Sequence, residues 1–198
     1  MDPRALLRLE AALEYGVAPE GDTIPVTPEN SRDVPLATVA RFADGYELLF
    51  REGLSDEERA RFTERGAPQL FAAAPEALTY RIIDCRWYII DRVLDRAEFP
   101  DVSERDGRFV IERDGQIVAE AWSSQDGEHA VEVEVETHVD YRRRGYGRQV
   151  VAAWAHSVRR AGKIAFYSHL MTNEASRALA ASLGAVWFAD TRELFPEG

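Results

Sequence analysis

The sequence predicts an α/β fold in a single domain. Three observations carry this. Apolar and charged residues alternate strictly in VEVEVET, residues 131–137, as in a half-buried strand. Two later segments place apolar residues at helical spacing, around Trp154 and around Leu179. From Arg108 onward strand-like and helix-like segments follow one another as β-β-β-α-β-α-β. At 198 residues the chain fills one core more readily than two.

Each element has its own warrant. Asp2 and Pro3 suit a helix cap and first turn, Gly16 suits the stop, and Leu6, Leu9 and Leu13 form the expected inward face. Residues 17–35 carry four prolines and one glycine without a period and read as a long loop. LSDEERARFTERG reads as a helix capped by Ser55 and ended by Gly66. Residues 79–94 fit either a strand or a helix. RFVIERDGQIVAEAW is a hairpin about Asp114-Gly115, and SSQDGEHA makes the next turn before VEVEVET. A helix is expected over about 146–160, with Val151, Trp154, Ala155 and Val158 inward and Gln149, His156 and Arg159 outward. KIAFYSHL is a strand. TNEASRALAASLG is a helix with Ala175, Leu179 and Leu183 inward, capped by Thr172 or Asn173, and AVWFADTREL is the last strand.

Composition narrows the function. A formal charge of −11 favours solubility and argues against a nucleic acid partner, which demands a broad basic surface. The lone Cys85, among apolar neighbours, reads as a buried small hydrophobe; it permits neither an intrachain disulfide nor a cysteine metal cluster, and no metal is expected. The acidic, broken N-terminal stretch is neither signal peptide nor membrane anchor, so a cytoplasmic setting without a membrane partner is expected.

Against this acidic background RRRGYG, residues 142–147, stands out. It joins the strand at 131–137 to the next helix, whose first turn leaves backbone amides unpaired at the positive end of the dipole. Gly145 and Gly147 let those amides approach a ligand, and the arginines add forked donors suited to phosphate oxygens. Together they form a candidate cradle for a pyrophosphate. The dinucleotide fingerprint and the P-loop both need residues that GYGRQV lacks. The alternative is a charged turn whose glycines serve backbone geometry alone.

VETHVDYRRRGYGRQVV resembles the coenzyme A signature of the GNAT superfamily of N-acetyltransferases through Arg142, Gly145 and Gly147, and TNEASRALAASLGA resembles the superfamily's second motif. The resemblance spans about residues 109–195. It implies a mixed, mostly antiparallel central sheet flanked by helices, with a helical N-terminal extension, residues 1–100, that shapes the acceptor site ahead of an acyl-CoA-binding core at 108–195. It implies acetyl-CoA as acyl donor and a small-molecule or peptide amine as acceptor, with a homodimer possible through exposed strand edges. Loop residues Arg142, Arg143, Arg144, Gly145, Tyr146 and Gly147 would hold the pyrophosphate. Thr137 and Val139 would bind the pantetheine arm, and Asn173 and Ser176 would meet the cofactor from the following helix.

The implied reaction is attack by a primary amine on the thioester, and an alkylamine must first lose a proton. Strict alternation puts Glu132, Glu134 and Glu136 on one strand face, which as a plain surface would simply be solvated. The superfamily's usual base position falls on Val131 or Val133, so Glu134 and Glu136 are the substitutes. Its usual tyrosine proton donor falls on Ala180, leaving Tyr167 as the replacement. His156 and His169 read as surface histidines. These departures favour a second expectation, an acyl-CoA-binding sensor or interaction module without turnover.

Overall fold

A computed structural model of the chain describes residues 1–31, 33–73, 80–92 and 95–196. Among the described residues are ten strands and five α-helices, in two compact units: Met1–Trp87 with Phe188–Gly198, and Tyr88–Trp187. No described helix is long and apolar enough to cross a membrane.

The first unit opens with α1 (Pro3–Tyr15), capped by the Asp2 carboxylate and stopped by Gly16 in the left-handed region. Its buried stripe is Leu6, Leu7, Glu10, Ala11 and Tyr15, one step round from the face expected through Leu9 and Leu13. The shift arises because a glutamate and a tyrosine are drawn inward. The predicted loop at 17–35 holds the two-residue β1 (Thr23–Ile24); Arg32 lies outside the described residues. Next come β2 (Ala37–Phe42), β3 (Gly45–Arg51), α2 (Asp56–Arg65), α3 (Ala67–Ala72) and β4 (Arg81–Ile89). Ser55 and Glu58 form a reciprocal capping box at α2. Among the described residues of the first hundred are the two helices expected around Leu6 and after Ser55, the short α3, which the sequence does not mark, and four strands. The ambiguous segment at 79–94 is settled as strand β4; Thr79, Val93 and Leu94 lie outside the described residues. Cys85, on β4, is only half-buried. Most of the final strand, β10 (Val186–Phe195), pairs antiparallel with β2 in this unit.

The second unit runs β5 (Ser103–Arg105), β6 (Arg108–Arg113), β7 (Gln116–Asp126), β8 (Ala130–Thr137), α4 (Tyr146–Arg160), β9 (Ile164–Leu170) and α5 (Glu174–Leu183). The first four strands pair antiparallel in sequence order, and β8 pairs parallel with β9. The β6–β7 turn has Asp114 at φ 53° and Gly115 at φ 78°, the two left-handed residues a tight hairpin of right-twisted strands requires. The turn expected over SSQDGEHA is shorter: β7 continues to Asp126, taking up its extra residue in an irregularity between Ser123 and Gln125.

Helix α4 occupies the predicted bounds and buries Val151, Trp154, Ala155 and Val158 against the sheet. Trp154 is 1% exposed, and its indole N–H donates to Ser123 Oγ at 3.1 Å. Gln149, His156 and Arg159 are half-buried rather than outward, with the His156 ring 5.6 Å from Phe99. On α5 Ala175 is exposed while Ala180 and Leu183 are buried, again a rotation of the expected face. His169 is buried, not on the surface: its Nδ1 lies 2.8 Å from the Leu170 carbonyl and its Nε2 3.5 Å from Tyr88 Oη.

Candidate active site

The junction between β8 and α4 is built by backbone geometry before any side chain acts. His138 caps a short 3₁₀ turn, Val139–Tyr141, and its own amide donates to the Val118 carbonyl at 2.9 Å, anchoring the turn to the neighbouring strand. Arg143, at φ 61°, and Gly145, at φ 80°, are both left-handed and curl the chain into the helix entrance. Gly145 is the N-cap of α4 and has no side chain to cap it. The helical ladder opens with the Gln149 amide on the Gly145 carbonyl at 3.1 Å, so the amides of Tyr146, Gly147 and Arg148 lie ahead of it. Three donors and the positive end of a four-turn helix therefore face outward at one place.

Side chains then hold the entrance in shape. A Cβ added to Gly147 would stand 3.1 Å from Thr137 Oγ1, so the loop is pressed close against the end of β8, and a larger residue would need the threonine to give way by a few tenths of an ångström. Arg142 Nε donates to the Thr137 carbonyl at 3.2 Å. The Arg144 guanidinium lies 5.0 Å over the Tyr141 ring, and Arg113 covers Tyr146 at 5.1 Å while donating to Asp101. Arg148 ties the first turn of α4 to the Ser182 carbonyl of α5 and to Glu98, whose carboxyl is held below its ordinary range chiefly by that bond.

The sheet forks beside this entrance. Strands β8 and β9 pair at Ala130–Ile164, Val131–Ala165 and Glu132–Phe166, and there the ladder stops, although β8 runs on to Thr137 and β9 to Leu170. The backbone edges beyond Glu132 and Phe166 are thereby left available to an extended ligand arm.

A cleft of about 1230 Å³ joins these features. Its lining includes Thr137, Val139, Arg142, Arg143, Gly145, Tyr146 and Gly147 from the junction, Asn173 and Ser176 from α5, and Glu136 from β8. Nine of the ten residues predicted from sequence to meet the cofactor thus share one cavity; Arg144 does not line it and instead braces Tyr141. Asn173 is the N-cap of α5, its side-chain oxygen accepting from the Ser176 amide at 3.0 Å, which decides between Thr172 and Asn173.

The candidate proton carriers are dispersed. Glu134 and Glu136 are exposed, and only Glu136 reaches the cleft. Tyr167 is 2% exposed and lies outside the lining; burial pushes its hydroxyl up, and the group donates to the Ser176 carbonyl at 3.4 Å. Sequence reasoning passed over one feature here, the bond from Ser168 Oγ to Glu132 Oε1 at 2.6 Å. Its only sequence signal is a serine in a strand otherwise apolar or aromatic. Among the described residues no group of three or more His, Cys, Asp and Glu is arranged to hold a metal ion.

A forked α/β sheet thus lies beside an uncapped, glycine-lined helix entrance, an arrangement whose free amides suit an anion. Residues 103–187 match the family model of the GNAT acetyltransferase. An acetyltransferase of the GNAT family from Colwellia psychrerythraea shares the fold at 12% identity, with 98% of this chain and 97% of that one aligned and a TM-score of 0.53. A GNAT-family protein from Novosphingobium aromaticivorans aligns at 20% identity over 60% of this chain and 66% of its own, with a TM-score of 0.47. A Salmonella typhimurium protein solved with its cofactor acetyl-CoA aligns at 24% identity over 46% of this chain and 65% of its own, TM-score 0.35. The chain thus spans just under two thirds of these last two. No curated protein matches the sequence.

Proposed function

We propose that the protein transfers an acetyl group from acetyl-CoA to a primary amine of a small molecule or peptide. The carrying observation is the coincidence of three anion-ready amides, a glycine pressed on the strand end and a forked sheet in one cleft. The residues fit the donor molecule: the amides of Tyr146, Gly147 and Arg148 suit a diphosphate, Arg142 and Arg143 add positive charge, and the open edges near Thr137 and Val139 suit an amide-bearing arm. Asn173 and Ser176 border the same cavity from α5. The glutamate face of β8 suits a cationic acceptor, with Glu134 and Glu136 attracting the ammonium group. A net charge of −11 favours such an acceptor over nucleic acid. The same reading takes the protein to work in the cytoplasm, off the membrane and without a metal.

The test joins calorimetry with acetyl-CoA to thiol release in the presence of a lysyl tripeptide, spermidine and an amino sugar. Saturable binding and release that depends on one of these amines are expected; neither binding nor release would overturn the reading. One observation favours a second reading, an acyl-CoA-binding module without turnover. Ala180 is fully buried and carries no hydroxyl at the place where the superfamily's usual proton donor was expected. Tight binding of acetyl-CoA with no release on any amine would favour it.

A further inference from the structure

Where the backbone ladder between β8 and β9 stops, a side-chain bond takes its place. Glu132 and Phe166 form the last pair, and Ser168, two residues further along β9, donates its hydroxyl to Glu132 Oε1 at 2.6 Å. The Ser124 hydroxyl, at the irregularity in β7, donates to the Glu132 carbonyl at 3.3 Å from the other side. The residue at the vertex of the fork is therefore fixed through both its backbone and its carboxylate.

The face on which this happens follows from strand alternation. Val131 and Val133 of β8 and Ala165 and Tyr167 of β9 are buried in the core that contains α4 and α5 residues. Glu132, Glu134, Glu136, Phe166 and Ser168 consequently occupy the opposite face. A donor whose diphosphate sits on the α4 entrance would enter from the helix face. On that other face Phe166 is fully buried while Glu132 and Ser168 stay half-buried, so an acceptor reaching the vertex there meets Glu132 first. Glu136 stands four residues further along β8, about 13 Å away at the rise of an extended strand. Glu134 is nearer, but it is exposed, and among the described residues no bond orients it as Ser168 orients Glu132.

We infer that Glu132 is the general base of the transfer and Ser168 its positioning residue, an inference that rests on the acyltransferase reading above. The Glu132 carboxylate takes one proton from the acceptor ammonium, and the freed nitrogen lone pair forms the new C–N bond at the thioester carbonyl. The carbonyl π electrons move to oxygen and return as the C–S bond breaks, its electron pair leaving on sulfur. The nitrogen's second proton ends on that sulfur, giving the free thiol, and Glu132 passes its own proton to water. A base held by a third group in the fixed geometry that proton transfer needs is the arrangement seen here.

Ser168 supports the carboxylate in its charged form, which sets a signature that a mere strand clasp lacks. The test compares full-length wild type, Glu132→Gln, Ser168→Ala and Ser168→Thr. It measures kcat and KM across pH with acetyl-CoA and the amine that wild type accepts, calorimetry with acetyl-CoA, and thermal melting. Glu132→Gln is expected to lower kcat about 10²- to 10⁴-fold with acetyl-CoA binding retained. Ser168→Ala is expected to lower kcat about tenfold and to move the acidic limb of the kcat/KM profile to higher pH, since the carboxylate loses a charge-assisted bond. Ser168→Thr should restore the wild-type limb. Wild-type kcat in Glu132→Gln, or an unmoved limb in Ser168→Ala, overturns this assignment while leaving the acyltransferase reading intact. A wild type that releases no thiol with any of the amines overturns both.

Discussion

At the residue scale, Gly147 separates what the fold needs from what the site needs. Its position in the first turn of α4 is helical, so alanine there gains helix propensity of about 1 kcal/mol. Against that gain stands the 3.1 Å approach of the new Cβ to Thr137 Oγ1, which the neighbour must relieve by a few tenths of an ångström. The two effects oppose one another, and Gly147→Ala should melt close to wild type. On the proposed reading binding has no such offset, because an added methyl narrows the approach of a diphosphate oxygen to the Gly147 amide. Calorimetry should show acetyl-CoA affinity reduced by at least about tenfold, or 1.4 kcal/mol. Pairing it with Thr137→Ala relieves the crowding but leaves the methyl in the ligand's path, so affinity should stay low. Wild-type affinity in Gly147→Ala would mean that the helix entrance does not hold the donor.

At the element scale, α5 is set by its cap, and the cap residue also borders the cleft. Asn173 accepts from the Ser176 amide, and the Tyr167 hydroxyl holds the Ser176 carbonyl from β9, so both ends of one peptide region are pinned. Asn173→Ala should cost about 1 kcal/mol of stability, the ordinary worth of an N-cap, and should also weaken acetyl-CoA binding. Asn173→Asp keeps the cap and should keep the melting temperature, while its charge next to a diphosphate weakens binding. If both variants bind as wild type does, Asn173 serves the helix alone. The sequence made such local devices legible: the Asp114-Gly115 turn, the Ser55 cap and the bounds of α4 depend on residues close in the chain. The inward faces of α1 and α5 were read one step away because Glu10, Tyr15 and Ala180 are buried by partners distant in sequence. The Ser168–Glu132 bond was out of reach for the same reason. It exists only through the parallel register of β8 on β9, which brings together two residues 36 positions apart and which no local pattern encodes.

At the scale of the whole molecule, the pH dependence of folding should carry the mark of one buried carboxyl in the first unit. Glu193, on β10, is 6% exposed and accepts from the Tyr15 hydroxyl at 3.3 Å beneath α1. Burial raises its pKa from 4.5 to about 8, the carboxylates of Glu14 and Asp84 add to the rise, and the Tyr15 bond and Arg81 oppose it. Tyr15 is itself pushed well above its ordinary value, first by burial and then by the charge of Glu193. Between 4.5 and about 8 the folded state therefore holds a proton that the unfolded state has released. Stability falls with pH wherever the folded state binds more protons, so this group's contribution is full below 4.5 and lost as pH rises through about 8. Other carboxylates shape the absolute profile, and the difference between wild type and Glu193→Gln isolates this one. The amide keeps the shape and accepts the same hydroxyl, yet never ionises. Thermal melts should show the two proteins close together at pH 5, near the lower end of this window, and the variant clearly more stable at pH 9, above its upper end. Parallel melting curves across that range would show that Glu193 ionises in the folded protein as it does in water, and that water reaches the space beneath α1.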